Sequence, residues 1–111
     1  MEEKEKEKGF SIELTPEVSG GIYSNLVVLS HSATEFFIDF AQMAPGLPKA
    51  KVGSRIIMHP EHAKRLLMAL KENVSNYEAK FGPINFTQPS RQGGATINLS
   101  DLMGGNNGSK S

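Results

Sequence analysis

The chain has no cysteine, which excludes disulfide staples, thiolate metal sites and a cysteine nucleophile and leaves a reducing compartment open to it. It also lacks any run approaching the ~20 apolar residues of a membrane-spanning helix. Its first residues, Met1 to Gly9, are an alternating Glu/Lys tract where a signal peptide would be apolar. A cytoplasmic protein is expected. An excess of charge of one sign is missing as well: twelve basic residues stand against twelve acidic ones. Between Phe10 and Gly82 the basic residues are Lys49, Lys51, Arg55, Lys64, Arg65, Lys71 and Lys80, and the acidic ones are Glu13, Glu17, Glu35, Asp39, Glu61, Glu72 and Glu78. Proteins that track a phosphate backbone concentrate a basic excess, so here only a local patch could serve. No internal repeat is present.

What is there divides into three parts. The leader, residues 1–9, has the composition of a solvated, disordered segment. Residues 10–88 read as one domain, and residues 89–111 are Gly/Asn/Ser/Gln-rich and read as a disordered tail. Within that tail, Ala95 to Met103 carries Ile97, Leu99, Leu102 and Met103, with a helix cap available at Ser100. It fits either a passive tail or a short docking motif that folds on a partner. A core of roughly 75 residues buries only about 60% of its unfolded surface, which predicts oligomerisation before any motif is considered.

Four strand-like runs precede one long helix. Phe10, Ile12 and Leu14 alternate with Ser11 and Glu13, a half-buried pattern that Pro16 ends. The second run, from Ile22 to about Ser30, contains Leu26-Val27-Val28-Leu29, apolar on both faces, so both sides of the sheet should be covered there. The third, Glu35 to Met43, puts Phe36, Ile38 and Phe40 in the core and Glu35, Phe37 and Asp39 outside. Turn chemistry at Ala44-Pro45-Gly46-Leu47-Pro48 leads to the fourth, Ala50 to Met58. A turn centred near Pro45 would set Asp39 opposite Lys51 and Glu35 opposite Arg55, two exposed ion pairs. Then Pro60 suits a first helical position, and Ala63, Leu66, Leu67, Leu70, Val74, Tyr77 and Phe81 form one apolar stripe before Gly82 and Pro83 stop the helix. The expected fold is therefore α+β: a four-stranded antiparallel sheet followed by one long helix packed on one face (ββββα), as a homodimer.

Little in this pattern is chemical. His59 and His62 flank Glu61 at the helix start, but three-residue spacing is not that of a zincin helix, and no metal is expected. Ser30, His31, Ser32 and Asp39 have no nucleophile elbow or oxyanion loop, and Ser32 before Ala33-Thr34-Glu35 suits turn chemistry better. Gly20 and Gly21 precede no helix and form no phosphate loop. No enzyme and no cofactor are expected. The outer face is more informative. Lys49, Lys51 and Arg55 share a parity on the fourth run, Phe37 faces the same way on the third, and Tyr23 can join them. Basic groups beside exposed rings are what single-stranded DNA or RNA needs, charges for phosphates and planes for unpaired bases. The competing expectation is that Glu35 and Asp39 neutralise the cations while Phe37, Val27 and Leu29 meet another protein subunit.

The segments Gly21-Ile22-Tyr23-Ser24-Asn25, His31-Ser32, Thr34-Glu35-Phe36, Asp39-Phe40, Ser54-Arg55-Ile56-Ile57, His62-Ala63-Lys64-Arg65-Leu66-Leu67 and Tyr77-Glu78-Ala79-Lys80-Phe81-Gly82 resemble the signature of a bacterial family of small proteins classed as a domain of unknown function. The resemblance covers about Leu14 to Gly82, implies no activity, and would put threonine or serine at the cap position that His59 holds. The close of the domain, Ser54-Arg55-Ile56-Ile57-Met58 followed by a helix ending in Tyr77-Glu78-Ala79-Lys80-Phe81-Gly82, is also similar to PUR and Whirly-like modules. That likeness implies a paired ββββα unit binding single-stranded nucleic acid on its sheet; on this chain the outer-face residues Tyr23, Phe37, Lys49, Lys51 and Arg55 would serve, with a homo-oligomeric interaction module as the alternative.

Overall fold

The computed structural model describes residues 10–86 and 94–103. The calls of a disordered leader at residues 1–9 and of disorder at 89–93 and 104–111 lie outside the described residues. Within them the elements run α1 (Pro16–Ser19), β1 (Leu26–His31), β2 (Phe36–Gln42), β3 (Lys51–Met58), α2 (Pro60–Phe81), β4 (Ala95–Asn98) and α3 (Leu99–Met103). No helix among the described residues is long and apolar enough to cross a membrane.

The fold is α+β, but its sheet is mixed, in the order β3-β2-β1-β4. β1 pairs antiparallel with β2 and parallel with β4. The fourth strand is thus Ala95–Asn98 and not Phe10–Leu14, which enters no ladder and leaves Phe10, Ile12 and Leu14 largely exposed. The physical reason lies in β1. With β2 on one edge, its other edge presents unpaired N–H and C=O groups, and β4 pairs with them. Gly94, at φ +87°, sets the entry into β4: a Cβ there would stand 2.2 Å from the Asn25 carbonyl oxygen. That carbonyl accepts the Ala95 N–H at 2.8 Å.

The turn between β2 and β3 corrects the expected register. Leu47 N–H donates to the Ala44 carbonyl at 3.1 Å across Pro45 and Gly46, the latter at φ +87°, the Pro-Gly arrangement of a type II turn. Pro48, Lys49 and Ala50 then lengthen the β3 side, so Asp39 pairs with Arg55, and Lys51 pairs with Gln42. A bulge interrupts the ladder, with Phe40 opposite Ser54 and Ala41 opposite Val52, which leaves Gly53 as the extra residue.

Paired residues share a face. Phe36, Ile38, Phe40, Ile56 and Met58 therefore lie on a first face with Val27 and Leu29; Phe37, Asp39, Ala41 and Arg55 lie on a second with Leu26 and Val28. Among the described residues only Ile38, Asp39 and Ala41 are buried. The expected helix-on-sheet layer is not formed within the chain. α2 buries none of its residues and does not pack on the sheet. One residue, His59, separates Met58 at the end of β3 from Pro60 at the start of α2, which is too little chain to turn the helix back.

Candidate functional site

The register brings two of the five expected binding residues together. Phe37 and Arg55 share the second face, and the Arg55 guanidinium carbon lies 5.5 Å from the centroid of the Phe37 ring. Between the two strands, Asp39 is 7% exposed and accepts from Arg55 Nε at 2.5 Å and Nη2 at 2.8 Å. This fork is the geometry in which guanidinium and carboxylate fit best. The Arg55 hydrogen bond holds the Asp39 carboxyl below the usual carboxylate range, burial opposes that shift, and the charge of Arg55 adds to it.

The other three residues are placed elsewhere. Beyond the bulge Lys51 pairs with Gln42, which has the parity of Phe36, Ile38 and Phe40, so Lys51 belongs to the first face. Lys49 lies in the loop between β2 and β3. Tyr23 precedes β1, outside the sheet, and is 71% exposed. The expected Asp39–Lys51 and Glu35–Arg55 pairs are replaced by Asp39–Arg55. The longer turn and the single-residue bulge together set Asp39 opposite Arg55, and the bulge, which reverses the parity of everything on its far side, moves Lys51 to the other face.

The remaining polar candidates are occupied in holding the chain in shape. Ser32 Oγ accepts from the Thr34 and Glu35 N–H groups, both at 3.2 Å, closing the β1–β2 turn as the sequence suggests. His31 stacks on Phe36 with centroids 5.2 Å apart. His59 does cap α2 despite its type, its Nδ1 accepting from the Glu61 N–H at 3.2 Å. His62 stands edge-on to His59 at 6.2 Å, and no three His, Asp or Glu side chains converge as metal ligands among the described residues. Glu78 receives the Ile84 N–H on its carboxylate at 2.9 Å and the Gly82 N–H on its carbonyl at 2.9 Å, fixing the exit from the helix.

Asn25 is a structural residue that pattern reading missed. Its Oδ1 accepts from the Met43 N–H at 2.7 Å and its Nδ2 donates to the Met43 carbonyl at 3.0 Å, so a side chain continues the β1–β2 ladder past its last backbone pair, Leu26–Ala41. Ser24 Oγ donates beside it, to the Ala41 carbonyl at 2.8 Å. No periodicity could have found either.

The surface that stands out is apolar. The α2 stripe is open to solvent: Leu67 is 63%, Leu70 56% and Phe81 66% exposed. The apolar spacing shows the stripe; only the short connection at His59 hints that the sheet among the described residues does not cover it.

A family model described as a protein of unknown function (DUF3467) matches residues 1–86. No curated protein and no solved structure matches the chain.

Proposed function

We propose that this chain, which belongs to the DUF3467 family of proteins of unknown function, is a non-enzymatic interaction module that acts by presenting apolar surface to protein, in the first place to a second copy of itself. The observation that carries this reading is the α2 stripe, which exposes Leu66, Leu67, Leu70, Val74, Tyr77 and Phe81 together. A monomer rarely leaves so large a contiguous apolar patch bare, and such patches mark interaction surfaces. Sedimentation of the full chain tests it. A homodimer at micromolar concentration, dissociated by Leu67→Glu, is the expected result; a single-chain mass at every concentration would overturn it.

A second reading, single-stranded DNA or RNA on the second face, keeps one observation in its favour. The Arg55 side chain is 56% exposed and lies over the Phe37 ring, a cation beside a plane on which a base could stack. Against it, Asp39 already engages the guanidinium fork, and the net charge is zero. Titration with a labelled oligonucleotide at low salt decides: binding that weakens steeply with salt and with Arg55→Ala supports this reading, and no binding at low salt ends it.

A further inference from the structure

We infer that the occupant of the α2 stripe is the first sheet face of a second copy, so that two chains exchange helices and each α2 lies across the partner's sheet. This rests on the self-association proposed above and adds which surfaces meet. The chain exposes two apolar surfaces of different shape. One is the helix stripe. The other is the first sheet face, where Ile56 is exposed and Val27, Leu29, Phe36, Phe40 and Met58 are half-buried around the buried Ile38. The one-residue connection at His59 keeps α2 from folding back on its own sheet, where strand-to-helix connections ordinarily take about two to six residues. A short connection of this kind favours exchange between copies.

Shape and size agree. At about 100° per residue the stripe covers an arc of roughly 100°, the width of a helix that packs on a sheet and broader than a coiled-coil seam. From Ala63 to Phe81 it runs about 27 Å, and the eight residues of β3 run about 26 Å. Six large side chains about half exposed offer on the order of 500 Å² per helix. Two helices on two faces, each meeting a matching area of sheet, would bury about 2,000 Å², at the lower end of obligate dimers. Pairing helix with helix would instead leave both sheet faces bare. Exchange covers all four surfaces with one two-fold axis.

The test uses the full chain. In a mixture of isotope-labelled and unlabelled protein, isotope-filtered NOEs should connect the methyls of Leu67 and Leu70 on one chain to those of Val27 and Ile56 on the other. A mixing experiment adds a functional readout. Leu70→Glu damages the helix and Ile56→Glu damages the face, both at positions already exposed in the chain. Each variant alone should dimerise weakly, and an equimolar mixture should associate about tenfold more tightly than either, because one helix-on-face contact is intact. Intermolecular NOEs from helix to helix only, or intramolecular NOEs from α2 to its own sheet, would overturn the exchange and leave self-association standing. Absence of rescue on mixing would likewise overturn it. A chain that sediments as a monomer would overturn both proposals.

Discussion

Replacing Asn25 by alanine should destabilise the protein by about 2 kcal/mol, from two hydrogen bonds worth about 1 kcal/mol each net. Both bonds go to one residue, Met43, whose N–H and carbonyl have no strand partner at that level of the sheet. Asn25 and Met43 are half-buried, so water recovers part of the loss, and a range of about 1–3 kcal/mol follows. Asn25→Asp is the informative companion. Its carboxylate keeps the acceptor for the Met43 N–H but loses the donor and sets a negative charge against the Met43 carbonyl, so it should recover no more than half of the loss. Urea unfolding followed by circular dichroism, at one fixed protein concentration because association is coupled to folding, reads the effect. With a slope near 2 kcal/mol per molar, the midpoint should fall by about 1 M at unchanged slope. Exchange of the Met43 amide should speed up by about tenfold or more. A midpoint within about 0.2 M of wild type, with Met43 still protected, would refute the idea that this side chain extends the ladder.

Two more outcomes follow from the geometry. Gly94→Ala should detach β4: it places a methyl group 2.2 Å from the Asn25 carbonyl oxygen at φ +87°, so exchange protection at Ala95–Asn98 should disappear while β2 and β3 stay protected. If β4 keeps its protection, its docking geometry is wrong. The Asp39–Arg55 fork predicts a pH dependence. Because the folded carboxyl titrates below its ordinary value of about 3.9, the pair's contribution is fully present above that value and is lost as pH falls through the folded value. The stability difference between wild type and Asp39→Asn should therefore be constant near neutrality and shrink below about pH 4; a difference that grows on acidification would refute it.

The sequence displays most of the elements and little of their arrangement. Periodicity placed three strands and the α2 stripe because each is a local pattern with its own repeat. The register of β3 was not legible, since one unpaired residue, Gly53, changes which face Lys51 occupies without altering the alternation on either side of it. β4 is four residues long, and in Ala95-Thr96-Ile97-Asn98 the only strand signal is Thr-Ile, while the open edge of β1 that recruits it lies about seventy residues away. The α2 stripe says that it must be covered, but periodicity is blind to which chain supplies the cover. Several residues that carry the family resemblance turn out to fix ends and turns: Ser24 and Asn25 past β1, Ser32 in the hairpin, Asp39 with Arg55 across β2 and β3, and Glu78 at the helix exit. A signature that fixes ends and turns specifies a scaffold, and each of these groups makes a hydrogen bond within the chain. What the described residues leave open is apolar, the α2 stripe and, on the first sheet face, Ile56 with its half-buried neighbours, and there the proposed function is placed.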